Sequence, residues 1–318
     1  VMKILITGVA GFIGFHLAKK LIRQGHEIIG IDNISDYYDI TLKKNRLSML
    51  ESDNFKFYEL DINLISSLDR TFDLIINLAA QAGVRVPEEK KTSYHQSNVD
   101  GFKKVVDYCL EHSIEKLIYA SSSSVYSDSS SQPFSENHTD LKPKSLYGKT
   151  KLFNEQYVKK IKSRIDCVGL RFFSVYGPFG RPDMAYFSFT ESLKNGHTII
   201  LHNHGNMVRD MTFIDDAIDG IMRSIDFLMN SEKKIGNELF NIGSNRPILT
   251  SDVLKELQNN LNIKGDIKGI KVSNESLYTR ADLTKSKNIL GYNPKTPFED
   301  GIKIFLNWHK DYENFKNT

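Results

Sequence analysis

The chain has 318 residues, which is enough for one large domain or two ordinary domains with a substantial core. Its 42 lysines and arginines nearly balance its 39 aspartates and glutamates, with both signs interspersed, so we expect no nucleic-acid partner. The apolar runs are too short to cross a bilayer, and the first begins too early to leave room for a signal peptide, so we expect no membrane partner. Cys109 and Cys167 belong to no pairing motif, which favours a cytoplasmic location.

The N-terminal segment shows the order strand, glycine-rich turn and helix. Residues 3–7 form an apolar, β-branched run that predicts a buried strand. Gly8, Gly11 and Gly14 follow in GVAGFIG, and FHLAKKLIRQG then repeats apolar residues at helical spacing. Glycines in such a turn let the backbone approach a pyrophosphate at the helix N-terminus. This segment therefore predicts a dinucleotide site.

The second predicted strand, residues 27–31, ends at Asp32. An acid at this point can accept hydrogen bonds from an adenosine ribose and would repel a 2′-phosphate, so it predicts NAD rather than NADP as the cofactor. Lys43, Lys44 and Arg46 form a basic cluster nearby, which would weaken this preference if it faced the ribose.

Predicted strands continue to alternate with helices through the first half of the chain, at residues 55–60, 73–80 and 115–122. This alternation predicts an α/β fold with a doubly wound parallel sheet of the Rossmann type. Ligands of such sheets bind beyond the carboxyl ends of the strands.

After about residue 173 the pattern becomes irregular, with turn signals such as PFGRPDM and NHGN. We therefore expect residues 1–173 to form the NAD-binding domain, to which residues 212–243 return. Residues 174–211 and 244–318 are expected to form a second, smaller substrate domain.

Tyr147 and Lys151, in SLYGKTK, are four residues apart and would share one face of a helix. A nearby ammonium favours the phenolate, so this pair could supply a general base. Ser121 to Ser124 follow an apolar run directly and would place hydroxyls at a strand's carboxyl end. His202 and His204 alternate along a predicted strand without further convergent ligands, so we expect no metal site.

Nine segments together resemble the extended short-chain dehydrogenase/reductases, and within them the nucleotide-sugar epimerases of the UDP-glucuronate 4-epimerase type. The segments are GVAGFIGFHLAKKL, GIDNISDYYD, LAAQAGVR, SNVDG, YASSSSVY, LYGKTK, LRFFSVYGPFGRPDM, NHGNMVRDMTFIDD and FNIG. The resemblance runs essentially from residue 2 to residue 312, and it implies bound NAD and a UDP-sugar substrate.

The resemblance implies that Tyr147 is the catalytic base and that Lys151 lowers the pKa of Tyr147 and holds the nicotinamide ribose. It makes Ser122 the hydroxyl that binds the reacting sugar oxygen, although Ser123 or Ser124 could occupy that register. The cofactor-binding residues that it implies are Gly8, Gly11, Phe12, Ile13, Gly14, Asp32, Asn33, Asp61, Ile62, Leu78, Ala79, Ala80, Gln81, Asn98, Tyr147, Lys151 and Tyr176.

For the substrate, the resemblance assigns the UDP diphosphate to Arg209 and a glucuronate carboxylate to Ser174 and Arg181. An alternative for Arg181 is a turn residue that pairs with Asp183. The other substrate contacts that it implies are Arg85, Ser122, Ser123 and, unless it is only a surface residue, Arg280.

The expected reaction is C4 epimerisation of UDP-glucuronate to UDP-galacturonate through a 4-keto intermediate, in polysaccharide biosynthesis. Related dehydratases carry Asp-Glu where this chain has Ser123 and Ser124, which disfavours elimination of water. The alternatives are epimerisation of UDP-glucose or UDP-N-acetylglucosamine and, less favoured, a non-catalytic NAD-binding protein. The superfamily also leads us to expect a homodimer through the helices at residues 94–110 and 147–161.

Overall fold

The structure is a computed structural model that describes residues 1–85, 87–161, 164–273 and 275–316. Its strands are β1 (Lys3–Thr7), β2 (Glu27–Asp32), β3 (Phe55–Glu59), β4 (Leu74–Asn77), β5 (Lys116–Ser122), β6 (Asp166–Phe172), β7 (Ser174–Tyr176), β8 (Ile199–His202), β9 (Val208–Phe213), β10 (Asn237–Ile242), β11 (Pro247–Leu249) and β12 (Ile267–Ile270). Its helices are α1 (Phe12–Arg23), α2 (Ile40–Ser48), α3 (Lys91–His95), α4 (Gly101–Glu111), α5 (Leu146–Lys159), α6 (Ala185–Asn195), α7 (Ile214–Met229), α8 (Thr250–Leu261), α9 (Thr284–Leu290) and α10 (Phe298–Lys316).

Seven strands form one sheet in the order β10-β6-β5-β4-β1-β2-β3, and every neighbouring pair in it is parallel. The chain moves outward from β1 in one direction to β3 and in the other direction through β4, β5 and β6. The strand order therefore reverses between β1 and β4, where α/β sheets bind their ligands. The predicted doubly wound parallel sheet is confirmed.

Both faces of this sheet are covered, as strand β1 illustrates. Ile4 and Ile6 lie in one apolar cluster, and Leu5 lies in the cluster on the opposite face. Successive side chains of a strand point to opposite faces, so an uninterrupted apolar run is what a sheet buried on both sides requires.

Beyond β6 the chain builds two small sheets, β11-β9-β7 and β12-β8. Between them in sequence, α7 packs against α1, and β10 joins the edge of the large sheet beside β6. On this basis we propose the division into a dinucleotide-binding unit of residues 1–173 and 212–243 and a second unit of residues 174–211 and 244–318.

Two elements differ from the predicted boundaries in ways that affect the site. The strand predicted at residues 73–80 ends at Asn77, so Leu78 to Gly83 form a loop at the carboxyl edge of the sheet. The helix predicted at residues 94–110 contains a π-helical turn, Gln96–Asp100, between α3 and α4. None of the helices in the described part of the chain is both long and apolar enough to cross a membrane.

Candidate active site

A cavity of about 600 Å³ lies at the carboxyl edge of the large sheet and extends to the small sheets. Its wall includes the glycine turn after β1, the ends of β2 and β5, the start of α5 and the strands β7 and β9. Its size is typical of a small-molecule or cofactor site.

The glycine turn lines this cavity, and its geometry depends on the absence of side chains at the glycines. Gly8 has φ +71°, and a Cβ there would lie 2.8 Å from the Ala79 backbone nitrogen. A Cβ on Gly14 would overlap the Gly8 carbonyl oxygen. The turn therefore leaves open backbone at the N-terminus of α1, where amide groups and the helix dipole favour a pyrophosphate. These residues fit a bound dinucleotide.

Asp32, at the end of β2, lines the same cavity. Its carboxylate accepts hydrogen bonds from the amides of Ile34 (2.9 Å) and Ala10 (3.1 Å), which fix it beside the glycine turn. Burial raises the pKa of Asp32, although these amides and the charge of Lys43 oppose the shift. An acceptor held in this way is suited to the ribose hydroxyls of NAD.

Two residues of the basic cluster after β2, Lys43 and Arg46, make hydrogen bonds within the fold, and Lys43 also lines the cavity. Arg46 is fully buried and donates to the carbonyl oxygens of Ala10 (2.8 Å) and Phe179 (2.6 Å). Lys43 donates to the Ser35 carbonyl oxygen at 2.6 Å, and Lys44 is exposed. Arg46 therefore joins the glycine turn to the segment after β7, so its charge is used within the fold.

The structure brings most of the predicted cofactor residues into the cavity wall. Two of them, Asp61 and Asn98, do not line it but contact residues that do. Asp61 accepts from the Asn33 side chain at 3.1 Å, and Asn98 accepts from the Gln81 amide at 2.7 Å. The predicted cofactor residues that do line the cavity are Gly8, Gly11, Phe12, Ile13, Gly14, Asp32, Asn33, Ile62, Leu78, Ala79, Ala80, Gln81, Tyr147 and Lys151.

Tyr176 was predicted to neighbour the nicotinamide, but the structure does not place it in the cavity wall. Its side chain is fully buried, and its ring packs against those of Tyr186, Phe213 and Phe298. Phe172, at the end of β6, lines the cavity instead. The Tyr176 hydroxyl donates to the Phe298 carbonyl oxygen at 3.4 Å, which holds the ring in the core at the start of α10.

Tyr147 and Lys151 lie on the first turns of α5, and Ser122 is the last residue of β5. A Cβ on Gly148 would overlap the Ser124 carbonyl oxygen, so this glycine allows the helix to lie against the strand end. Lys151 is 3% exposed, donates to the Ala120 carbonyl oxygen at 2.9 Å and lies 5.5 Å from the centre of the Tyr147 ring. The structure thus brings the three predicted catalytic groups together.

Burial dominates the electrostatics of this group. It raises the pKa of Tyr147, while the charge of Arg181 and a hydrogen bond with Ser122 lower it. Burial also lowers the pKa of Lys151 to about 8. Lys151 donates to the Ala120 carbonyl oxygen and lies over the Tyr147 ring. That Lys151 lowers the pKa of Tyr147 when NAD is bound remains a proposal.

Four serines follow the apolar run of β5, and the structure distinguishes the first two. The Ser121 hydroxyl donates to the buried Glu155 carboxylate at 2.6 Å. The Ser122 hydroxyl accepts from the Ser124 amide at 3.1 Å and lies beside Tyr147. Successive residues of a strand alternate in direction, so Ser122 presents its hydroxyl to the phenol. Ser123 also lines the cavity.

Arg181 and Ser174 line the cavity from the second unit. The Arg181 Nε donates to Asp183 Oδ1 at 2.9 Å, and the guanidinium lies 5.9 Å from the centre of the Tyr37 ring. Arg181 therefore pairs with Asp183, as the alternative interpretation predicted, and it also faces the cavity. Two of its five N–H groups point to Asp183, which leaves three for a ligand.

Arg85 and Arg209 also line the cavity, and both contact a carboxylate that the sequence interpretation missed. Glu275 accepts from Arg85 at 2.7 Å and lies 3.5 Å from Arg209 and 3.2 Å from His202. Burial alone would raise the pKa of Glu275, but these neighbours lower it overall. No local pattern in residues 273–280 indicates this role, because its partners lie 66 to 190 residues away.

Arg280 does not line the cavity. Its Nε donates to the Asn245 side chain at 2.7 Å, and Asn245 has φ +57°. Arg280 therefore supports a turn between β10 and β11, and the predicted contact with the diphosphate is not supported by its position.

Comparison with known proteins agrees with this geometry. The model of the NAD dependent epimerase/dehydratase family matches residues 4–243. UDP-glucuronate 4-epimerase 4 of Arabidopsis thaliana is 37% identical, over 97% of this chain and 75% of its own length. A structure of UDP-glucuronic acid 4-epimerase from Bacillus cereus, in complex with UDP-glucuronic acid and NAD, has a TM-score of 0.89 at 30% identity and covers 98% of this chain and 100% of its own.

A structure of UDP-glucose 4-epimerase from Thermotoga maritima with UDP-glucose has a TM-score of 0.85 at 26% identity, over 98% of this chain and 100% of its own. The predicted family and its NAD cofactor are thus confirmed by a family match that spans most of the chain. The chain belongs to the NAD dependent epimerase/dehydratase family.

Proposed function

We propose that this protein catalyses NAD-dependent C4 epimerisation of a UDP-sugar, with UDP-glucuronate and UDP-galacturonate as the preferred pair. The observation that carries the proposal is one cavity with two sets of functional groups. Tyr147, Lys151 and Ser122 line it together with the glycine turn, and Arg181 and Arg209 reach it from the second unit. A sugar nucleotide that spans this cavity would place its sugar ring at the phenol and its diphosphate near the arginines.

In the proposed mechanism, Tyr147 as the phenolate takes the proton of the sugar 4-hydroxyl, and the Ser122 hydroxyl holds the same oxygen. NAD, when bound, supplies reversible hydride acceptance at C4. The resulting 4-keto sugar turns over, and Tyr147 then returns the proton to the oxygen as the opposite face is reduced. Lys151 supports the phenolate by its charge. Tyr147 gives back the proton that it took, and bound NAD would give back the hydride that it accepted, so no external acid or oxidant is consumed.

The preference for glucuronate rests on Arg181 and Ser174. A guanidinium and a hydroxyl can hold a carboxylate by charge-assisted hydrogen bonds, and Asp183 orients Arg181 for that contact. A 4-keto uronate is a β-keto acid that loses carbon dioxide when its carboxylate stands perpendicular to the ketone. Holding the carboxylate in another orientation would protect the intermediate.

Arg181→Ala is expected to raise the KM for UDP-glucuronate by about 10- to 100-fold, since a hydrogen bond to a charged group contributes about 1.5–3 kcal/mol. The KM for UDP-glucose should change by less than about threefold, because that sugar has no carboxylate. Steady-state kinetics with both sugars, and detection of a decarboxylated by-product, provide the measurement.

Arg223→Ala is the matched control, because Arg223 pairs with Asp219 on the surface of α7, outside the cavity. If Arg181→Ala affects both sugars equally and releases no decarboxylated product, the assignment of Arg181 to the carboxylate is wrong.

A UDP-glucose or UDP-N-acetylglucosamine 4-epimerase is the second candidate, and the Arg181–Asp183 pair is the observation that favours it. An arginine that is already neutralised would bind a carboxylate less strongly. The deciding experiment incubates the purified protein with each of the three UDP-sugars without added NAD and separates the products. UDP-galacturonate as the main product supports our proposal, whereas turnover of the neutral sugars alone supports the second candidate. NAD retained with no turnover of any sugar would indicate a non-catalytic protein.

We further propose a homodimer in the cytoplasm, acting in polysaccharide biosynthesis. The outer faces of the segments at residues 94–110 and 147–161 carry half-buried apolar side chains, among them Leu110, Phe153 and Tyr157. Cys109 and Cys167 are buried free thiols, which fits a reducing compartment. Sedimentation of the wild-type protein against Phe153→Glu tests the dimer.

A further inference from the structure

A buried ion pair lies directly behind the candidate catalytic residues. Glu155 and Arg171 are each 1% exposed. Arg171 Nε donates to Glu155 Oε1 at 2.9 Å, and Arg171 Nη2 donates to Glu155 Oε2 at 2.7 Å. Such a bidentate pair fixes both side chains in direction as well as distance. None of the catalytic or binding roles proposed above uses either residue.

Glu155 stands on the same face of α5 as the proposed base. Tyr147, Lys151 and Glu155 follow one another at intervals of four residues, so they occupy three successive turns of that face. Glu155 Oε1 also accepts from the Ser121 hydroxyl at 2.6 Å. The carboxylate therefore connects the helix that carries the phenol with the strand that carries Ser122.

Together, three turns of α5 contact three consecutive residues at the end of β5. Lys151 donates to the Ala120 carbonyl oxygen at 2.9 Å, Glu155 accepts from Ser121, and Tyr147 meets Ser122. The first two contacts hold the strand end in register with the helix. The third is the contact that the chemistry needs.

Arg171 anchors this arrangement to the sheet. It lies on β6, directly opposite Ser121 in the parallel pairing of β5 and β6. Its guanidinium stands 4.8 Å from the centre of the buried Tyr126 ring. Arg171 on β6 thus holds the Glu155 carboxylate, which in turn binds Ser121 on β5. The Ser121–Ser122 segment therefore has little freedom to shift along α5.

We infer that Glu155 is a positioning residue for the reaction: held by Arg171, it binds the Ser121 hydroxyl and thereby keeps the Ser122 hydroxyl within hydrogen-bonding reach of Tyr147. This inference rests on the proposed function in assigning the phenol as the base. A displacement of about 1 Å between reacting groups can cost on the order of 100-fold in rate. The contact also bears on proton transfer, because the hydrogen bond with Ser122 lowers the pKa of Tyr147.

Two variants test the inference in the NAD-bound protein. Ser121→Ala removes only the hydroxyl that joins the strand to Glu155. The double variant Glu155→Leu with Arg171→Met removes both charges together, so neither is left buried without its partner. In both proteins kcat should fall about 10- to 100-fold, with KM within about twofold of wild type. The acidic limb of the pH profile of kcat should move to higher pH, and Ser121→Thr should recover most of the activity that Ser121→Ala loses.

The matched control is Ser224→Ala, which removes a fully buried hydroxyl that donates to the Gly220 carbonyl oxygen at 2.8 Å within α7. This substitution removes a comparable hydrogen bond outside the cavity, so kcat and its pH profile should be unchanged. Free energies of unfolding for all variants separate a general loss of stability from a loss of alignment.

Titration of the Tyr147 phenol gives a second readout that needs no turnover. It can be followed by NMR of 13Cζ-labelled tyrosine, with Tyr147→Phe identifying the resonance. The phenol should titrate at higher pH in Ser121→Ala and in the double variant than in wild type. Unchanged kcat and an unchanged phenol titration in stable variants would overturn the inference. Absence of turnover by the wild type would reject the proposed function, while the titration would still decide the positioning role.

Discussion

Replacing Tyr147 with phenylalanine is expected to lower kcat by about 10²- to 10⁴-fold, the usual contribution of a general base. The substitution removes one oxygen and keeps the ring, so α5 should retain its packing against the end of β5. NAD should remain bound, because the glycine turn and Asp32 are untouched. Single-turnover measurements of NAD reduction on addition of UDP-glucuronate would show whether the step at C4 is the one that is lost.

Tyr157→Phe is the matched control for this experiment. Tyr157 lies on the same helix, ten residues further on, and its ring packs against Phe153 outside the cavity. It loses the same oxygen and should turn over at the wild-type rate. If Tyr147→Phe were as active as Tyr157→Phe, the assignment of the base would have to be abandoned.

Replacing Lys151 with methionine is expected to lower kcat near neutral pH by about 10- to 10³-fold. A positive charge within about 4–6 Å lowers the pKa of an acid by about 1–3 units, so its loss reduces the phenolate fraction correspondingly. The acidic limb of the pH profile should therefore move to higher pH. Since burial lowers the pKa of Lys151 to about 8, the wild-type protein should also lose activity above that pH through loss of the ammonium. That basic limb should be absent in Lys151→Met.

The same lysine makes stability depend on pH. Its pKa is about 8 in the folded chain against the ordinary lysine value of 10.5, so the unfolded chain binds more protons between these pH values. The free energy of unfolding of the wild type should therefore rise with pH in this window, relative to Lys151→Met, by up to about 3 kcal/mol. Urea unfolding of both proteins at pH 8 and pH 10 measures the difference. A wild-type curve that falls relative to the variant would contradict the buried-ammonium interpretation.

The sequence was most informative where a short segment shows both the functional residue and the strand, turn or helix that carries it. Gly8 and Gly14 mark a turn that only glycine can form at these contacts, and Asp32 follows a strand whose apolar run is evident. Tyr147 and Lys151 needed only the helical repeat to be placed on one face. These features are local, so a single sequence was enough to predict them.

The sequence was less informative for side chains whose surroundings are set by distant segments. Tyr176 belongs to a segment that contributes to the cavity, but its ring lies in the core, against Phe213 and Phe298. Arg280 was a candidate for either the diphosphate or the surface, and in the structure it donates to Asn245. These partners lie far away in the chain, so no local spacing indicates them.

The parallel α/β fold, the NAD site at the glycine turn and the phenol and ammonium pair could be predicted from one sequence, because each follows from spacing within one strand, turn or helix. The folded chain alone set the contacts between distant segments. It placed Glu275 among Arg85, Arg209 and His202, used the charge of Arg46 to join two parts of the fold, and connected Glu155 with Ser121 and Arg171. Such contacts form between residues far apart in the chain, where burial and pairing of charges, rather than local spacing, set the geometry.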